Sequence, residues 1–145
     1  MSERQPRLTR ADFHVFRAIP TRWHDNDAYG HVNNVVYYGW FDTAVNAWLI
    51  ENGFLDLAGS EIVGLVVETA CTYFESVAFP EAVDVGIAVE RLGNSSVTYR
   101  IGIFRQGGTQ AAAQGRFTHV YVERVDQKPV PIPAPLRGAL VQLAV

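Results

Sequence analysis

The feature that most constrains the fold is residues 34–51, where apolar and aromatic side chains leave almost no polar face. Strand and helix periods both fit, but the length and the Asn-rich start favour a helix, and Gly53 suits a left-handed C-terminal cap. A helix of this kind has to be buried on most sides. Because one sheet cannot cover it completely, the sequence predicts a homodimer or homotetramer in which a partner subunit supplies the remaining cover.

The rest of the chain has the pattern of β-strands. Alternating apolar residues predict a first strand over residues 13–23. After the helix, four more strands follow without a helical interruption, over residues 62–74, 83–92, 96–105 and 110–125. The Pro-rich residues 129–135 predict a stiff connector into a short last helix. This order predicts an α+β fold in which a curved antiparallel β-sheet wraps around the long helix, in one domain over residues 1–145.

Composition excludes several classes of function. Twelve basic and 15 acidic side chains give a net charge of -3, which offers no field for nucleic acid. Cys71 is the single cysteine, so it forms no internal disulfide, and its apolar neighbours predict an inert core thiol. Residues 1–10 have no signal-peptide core, and no stretch is long enough to span a bilayer. We therefore expect a cytoplasmic protein with no membrane or nucleic-acid partner.

The polar residues 23–34, between the first strand and the helix, are the place where chemistry is expected. A carboxylate in a loop that opens a helix lies beside unpaired backbone N–H groups, which bind anions or polarise a carbonyl oxygen. Turn and capping roles account for Asp25, Gly30 and Asn33. They do not account for Asp27, a second carboxylate that a turn does not need.

The same loop has the residue types of a metal site, because His24 and His31 accompany Asp25 and Asp27. Imidazole and carboxylate are suitable ligands. However, four ligands from one short loop rarely converge on one ion, so we expect no metal and no other cofactor.

The run from Arg22 to Asn34, followed by Tyr37 or Tyr38, Phe41 and Asp42, resembles the signature of hotdog-fold acyl-CoA thioesterases of the 4-hydroxybenzoyl-CoA thioesterase type. The most specific element is Asp-x-Asp-x-x-Gly directly before an aromatic-rich helix. The resemblance implies the hotdog fold, a continuous sheet across a dimer, and active sites at the subunit interface.

The resemblance also implies roles for individual residues. By position, Asp27 is catalytic, as nucleophile or general base, and a backbone N–H near Asn34 polarises the thioester carbonyl. The Asn34 side chain either orients water or substrate or caps the helix. The remaining residues assigned to substrate binding are Gly30, His31, Tyr38, Phe41, Glu68, Asn94, Ser95 and Ser96.

Some of these residues have a second interpretation. Tyr38 and Phe41, with Trp48, are candidates for an acyl pocket, but aromatic residues at helical spacing are more often core. Glu68 is expected on a solvated or interface face, with a second catalytic carboxylate as the alternative. Asp42 is expected to bond structurally to a neighbouring loop.

The turn at residues 92–96 carries no Arg or Lys, which some relatives use to bind the phosphates of CoA. Backbone amides and hydroxyls would replace them, or the acyl carrier would be a protein arm.

The leading hypothesis is hydrolysis of an acyl-CoA or acyl-carrier thioester to free acid and thiol. This reaction needs only a carboxylate and stabilisation of the developing oxyanion. An enoyl-CoA hydratase is a weaker alternative, because Asn occupies the position where it needs Asp. A non-catalytic acyl-thioester binding module also remains, since fold alone does not establish activity.

Overall fold

The structure is a computed structural model that describes residues 5–145. Its regular elements in chain order are β1 (Val15–Pro20), α1 (Asn34–Glu51), β2 (Ile62–Tyr73), β3 (Ala82–Leu92), β4 (Ser96–Arg105), β5 (Ala113–Glu123) and α2 (Ala134–Gln142). The strands form one five-stranded antiparallel sheet in the order β1-β3-β4-β5-β2. This confirms the predicted antiparallel sheet around a long helix.

Helix α1 has the predicted bounds because both ends carry the expected caps. The Asn33 side chain accepts a 3.2 Å hydrogen bond from the Val35 N–H. At the other end, Gly53 has φ 78° and its N–H donates to the carbonyl of Ile50. Asn33 is therefore the N-cap, and the alternative that Asn34 caps the helix is wrong, since Asn34 is the first helical residue.

One face of α1 packs on the concave face of the sheet. Its buried residues recur at helical spacing: Tyr37, Trp40, Phe41, Ala44, Val45 and Leu49. They contact inward-facing residues of the central strands, such as Val85 and Ile101, in one continuous core. Val35 and Ile50 stay 62% and 45% exposed. One subunit thus leaves apolar surface of the helix uncovered.

Strand β2 forms one edge of the sheet. It pairs with β5 only, and a bulge lies between Val66 and Glu68. Around this bulge Leu65, Val66 and Val67 are 37%, 49% and 60% exposed. An apolar edge strand of this length is a surface that proteins normally cover or pair.

Two predicted strands have one end displaced by three residues, whereas the other strand ends agree with the prediction within two residues. The first ends at Pro20 and not at residue 23, because Trp23–Asp25 form a 3-10 turn. The last begins at Ala113 and not at residue 110, since the Ala111 N–H bonds to the Leu8 carbonyl of the N-terminal segment.

The tail, which is the segment that follows β5, bonds to the turn between β3 and β4 at one end of the sheet. The Ile132 N–H donates to the Asn94 carbonyl, and Arg137 donates to the carbonyls of Gly93 and Asn94. Helix α2 then packs Leu136 and Leu140 into the core. Among residues 5–145, no helix is long and apolar enough to cross a membrane.

Candidate active site

Asp25 holds the polar loop in shape. Its buried carboxylate accepts hydrogen bonds from the Arg22 backbone N–H at 2.8 Å and from Arg22 Nε at 3.0 Å. Burial raises the pKa of Asp25, but the hydrogen bonds and positive charge of Arg22 outweigh it and hold the pKa below its usual range. The Asp25 carbonyl also accepts from the Asn33 N–H at 2.9 Å. Asp25 is therefore a structural carboxylate that positions the start of α1.

Asp27 lies in a tight turn two residues later. Its N–H donates to the His31 carbonyl at 2.9 Å, and the Gly30 N–H donates back to the Asp27 carbonyl at 3.1 Å. Gly30 has φ 82°, a left-handed conformation that favours glycine. The Tyr29 N–H binds Asp27 Oδ1 at 2.9 Å. Within the described part of the chain, Oδ2 accepts no hydrogen bond, so one oxygen of this half-exposed carboxylate is available to a substrate or water.

Asn34 begins α1 and presents an unpaired backbone donor. The N–H groups of Val35 and Val36 bond to the side chain and carbonyl of Asn33. The Asn34 N–H has no acceptor among residues 5–145. A helix N-terminal N–H in this state attracts an anion or a polarised carbonyl oxygen.

A shallow cavity of about 280 Å³ adjoins this first turn. Asn34 and Tyr37 line it from the helix, and Tyr73, Glu75 and Ser76 line it from the end of β2. The Tyr73 hydroxyl donates to the Asn34 carbonyl at 2.8 Å. No sequence pattern assigns Tyr73, Glu75 or Ser76 to the site, because their position depends on where β2 ends relative to α1.

Other reactive side chains near the cavity are held neutral. Burial raises the pKa of Tyr37 to about 12 and that of Cys71 to about 11. Cys71 is half-buried and packs against the hydrophobic core, in agreement with the predicted core thiol. Glu75 forms ion pairs with Arg7 and Arg105. Among the described residues, Asp27 has no basic partner, in contrast to Asp25 and Glu75.

The structure does not bring all predicted site residues together in one subunit. Ser96 pairs with Val120, whereas Tyr73 pairs with Ala113 at the other end of β5. The turn of Asn94, Ser95 and Ser96 is therefore at the opposite end of the sheet from the cavity, held through its carbonyls by the tail and β5.

The helix residues divide into core and partly exposed positions. Phe41 is fully buried, and Tyr38 is half-buried with its ring 6.0 Å from that of Phe41. Their contact with substrate stays a prediction. Asp42 is exposed and accepts from Asn46 Nδ2 at 3.0 Å within the same helix, so the expected bond to a neighbouring loop is wrong.

Two further residues are exposed. Glu68 lies beside the β2 bulge, 3.6 Å from Arg116, as expected for a solvated or interface face. His31 is exposed at the end of the Asp27 turn. Residues 5–145 contain no group of three or more His, Cys, Asp or Glu side chains that would hold a metal ion.

A family comparison decides the class of the protein. Residues 21–140 match the model of the thioesterase-like superfamily. The chain belongs to this superfamily. The match includes the Asp27 loop, α1 and strands β2 to β5, so it covers every element of the candidate site. A comparison with curated proteins gave no match.

Solved structures agree with this assignment. The chain is 55% identical to the PA5185 protein from Pseudomonas aeruginosa, with TM-score 0.93 over 96% of this chain and 97% of that one. It is 26% identical to BH1999 gentisyl-coenzyme A thioesterase, with TM-score 0.77 over 87% and 99% of the two chains. The protein therefore has the predicted hotdog fold. The prediction that it is a thioester hydrolase is also confirmed.

A third similarity shows the fold alone. The DHNA-CoA thioesterase from Staphylococcus aureus is 23% identical, with TM-score 0.76 over 88% of this chain and 87% of that one.

Proposed function

We propose that the protein hydrolyses an acyl-CoA or acyl-carrier thioester with Asp27 and the first turn of α1. The observation that carries this proposal is that one loop–helix junction holds two groups without a partner among residues 5–145, an oxygen of the Asp27 carboxylate and the Asn34 N–H. A thioester carbonyl whose oxygen accepts from Asn34 would have its carbon open to attack from the Asp27 side.

The chemistry follows from these two groups. Asp27 attacks the carbonyl carbon, or removes a proton from a water that attacks, while the Asn34 N–H and the helix dipole stabilise the oxyanion. The C–S bond then breaks. In the base route the leaving thiolate takes up the proton that Asp27 removed from water. In the nucleophilic route the thiolate takes a proton from solvent, and water then hydrolyses the mixed anhydride to release the acid and regenerate the Asp27 carboxylate. The products are a carboxylic acid and the thiol of the carrier. The Asn34 side chain does not cap the helix and is assigned to orienting water or substrate.

The complete site is proposed to form in a dimer through β2. Its exposed apolar centre around Val67 fits an antiparallel copy of the same strand, which would extend the sheet across two subunits. Because the copy runs in the opposite direction, its Ile62 end lies beside the Tyr73 end of the first subunit. That places Asn94, Ser95 and Ser96 of the partner subunit near the Asp27 loop, where their amides and hydroxyls would contact the CoA part. The cytoplasmic location stays a prediction.

The proposed function is tested by measuring thiol release from a panel of purified acyl-CoAs with short, long and aromatic acyl groups. We expect catalytic turnover of at least one member, with no added metal. A no-substrate control corrects for reaction of the reagent with Cys71. Tight binding of acyl-CoAs without release of thiol would instead identify a binding module.

A further inference from the structure

Two hydrogen bonds lie on either side of the peptide group that carries the proposed oxyanion donor. On the N-terminal side, the Asn33 N–H donates to the Asp25 carbonyl at 2.9 Å. On the C-terminal side, the Asn34 carbonyl accepts from the Tyr73 hydroxyl at 2.8 Å. The Asn34 N–H between them has no acceptor among residues 5–145. The backbone around this donor is therefore fixed, whereas the donor itself stays available.

The bond from Tyr73 comes from a distant part of the chain. Tyr73 is the last residue of β2 and lies 39 residues after Asn34. The chain just beyond Tyr73 is bound to the sheet, because the N–H groups of Phe74 and Glu75 donate to the Ala112 carbonyl at 2.8 and 3.0 Å. The end of β2 thus holds the Tyr73 hydroxyl in place against the first residue of α1.

The ring and the hydroxyl of Tyr73 have separate contacts. The ring packs edge-on against the ring of Tyr37, with 4.9 Å between the centroids. A phenylalanine would keep this contact. The hydroxyl adds the hydrogen bond to the Asn34 carbonyl, which a phenylalanine cannot make. Packing at the end of β2 therefore needs the ring but does not need the hydroxyl.

The protonation state of Tyr73 suits a donor. Desolvation by the surrounding protein raises the pKa of Tyr73, so its hydroxyl is protonated at neutral pH. The Cys71 thiol lies beside the same hydroxyl, and burial raises the pKa of this thiol to about 11. A neutral thiol is a weak hydrogen-bond acceptor. The Asn34 carbonyl is therefore the better acceptor for the Tyr73 proton.

The position of the donor matters most in the transition state. Negative charge develops on the thioester oxygen only as the carbonyl carbon is attacked, and an N–H stabilises it only from the right position. The CoA part and the acyl group supply most of the contacts that bind the substrate before this step. A small displacement of the N–H therefore lowers kcat and leaves substrate binding almost unchanged.

We propose that Tyr73 is a positioning residue, whose hydroxyl holds the first turn of α1 so that the Asn34 N–H points at the thioester oxygen. Tyr73 does not touch the reacting atoms in this role and acts through the backbone of Asn34. This inference rests on the proposed thioesterase function and adds a residue of the edge strand to its machinery.

The test is the turnover of Tyr73→Phe on the acyl-CoA that the wild type hydrolyses best. Removing an oxyanion donor outright lowers kcat by about 10²–10³-fold. In Tyr73→Phe the Asn34 N–H remains but is held by one bond fewer. We therefore expect kcat to fall about tenfold while KM stays within about twofold of wild type. A role in stability alone would change the melting curve without this division between kcat and KM.

Thr98→Val is the matched control. It also removes one hydroxyl hydrogen bond, which joins Thr98 Oγ1 to Thr118 Oγ1 at 2.9 Å. The neighbouring Tyr99 lies in the core against α1, so Thr98 points to the opposite face of the sheet. Melting curves should show a loss of stability similar to that of Tyr73→Phe, whereas kcat should stay within about twofold of wild type.

The outcomes separate the inference from the function beneath it. Wild-type kcat in a folded Tyr73→Phe protein would overturn the inference and leave the thioesterase function standing. An equal fall of kcat in Thr98→Val would overturn it, since the loss would then follow stability. A raised KM with unchanged kcat would assign Tyr73 to substrate binding, and a Tyr73→Phe protein that does not fold would assign it to stability. A wild type that releases thiol from no acyl-CoA would overturn both proposals.

Discussion

The hydroxyl of Tyr73 donates a 2.8 Å hydrogen bond to the carbonyl of Asn34, which links the end of the edge strand to the first residue of the central helix. The Asn34 N–H, on the other side of the same residue, is the donor proposed for the oxyanion. The strand that we place at the dimer interface therefore also positions the backbone of the catalytic turn.

Removing the hydroxyls of Tyr73 and Tyr121 should have different effects on stability. Tyr73→Phe loses the hydrogen bond to the Asn34 carbonyl and should lower the free energy of unfolding by about 1 kcal/mol. Tyr121→Phe removes a buried hydroxyl that has no hydrogen-bond partner among the described residues, so stability should stay equal or rise by up to about 1 kcal/mol. Urea denaturation of both variants measures the difference. A marked loss of stability in Tyr121→Phe would show that its hydroxyl is satisfied in the native protein.

Replacing Asp25 by Asn should destabilise the protein in a pH-dependent way. The pKa of Asp25 is lower in the folded state than its unfolded value of 3.8. Its ionised form therefore contributes stability above pH 4 or so, and this contribution disappears as the pH falls through the folded pKa. At pH 7 we expect Asp25→Asn to lose about 2 kcal/mol, since the bonds to Arg22 are charge-assisted.

The difference in the free energy of unfolding between Asp25→Asn and wild type, here called the gap, should close as the pH is lowered below about 4. Denaturation curves from pH 7 to pH 3 follow it. Asp42→Asn, at an exposed helix position, is the control and should show no comparable gap. A gap that is constant over this range would mean that the Asp25 charge does not stabilise the loop.

A positive charge at the centre of β2 should separate the subunits. Val67→Lys places a lysine on each side of the proposed two-fold contact, where like charges repel and the apolar cover is lost. We expect wild type to have at least a dimeric mass by light scattering, and Val67→Lys to shift towards monomer with loss of activity. Val125→Lys, at a residue 95% exposed beyond β5, should keep the wild-type mass and activity. A monomeric wild type at micromolar concentration would contradict the proposed interface.

Two glycine-to-alanine substitutions should change stability in opposite directions, because one glycine is closely packed and the other lies in an open position of a helix. A Cβ at Gly115 would lie 1.8 Å from the Ala70 carbonyl and 2.9 Å from the Phe41 ring, so Gly115→Ala should cost at least about 2 kcal/mol. A Cβ at Gly39, within α1, meets nothing within 4 Å. Gly39→Ala should therefore stabilise by about 0.5–1 kcal/mol. Thermal melting of the two variants provides the test, and equal melting temperatures would contradict the packing of Gly115 on Phe41.

Local signals were sufficient to predict most of the fold. Helix α1 has its predicted bounds because Asn33 and Gly53 mark its ends in the sequence. The first strand was predicted too long because alternation continues past Pro20, whereas the bonds from Asp25 to Arg22 turn the chain. These hydrogen bonds to the Asp25 side chain compete with strand formation, and the alternation of apolar residues does not reveal them.

The site could be predicted only where its residues are consecutive. The loop with Asp27 and Asn34 is one segment, so its motif is visible in the sequence. Tyr73 enters the site through the register of β2, and no sequence pattern fixes that register. The burial of His119 does have a local signal, since alternation places it on the same face as Phe117 and Tyr121. The missing hydrogen-bond partner of its Nδ1 within residues 5–145 depends on how α1 and β2 pack over it, which no local pattern encodes.

The most direct test of the central claim is the turnover of Asp27→Asn on the best acyl-CoA of the panel. The amide is neither base nor nucleophile, yet it can keep the hydrogen bond from Tyr29. We predict that kcat falls at least about a hundredfold with an unchanged melting curve. Asp42→Asn, which removes an exposed carboxylate of α1, should retain wild-type turnover. Wild-type turnover in a folded Asp27→Asn protein would contradict the account and would move the catalytic role to another group, with Glu68 and Asp42 the first to examine.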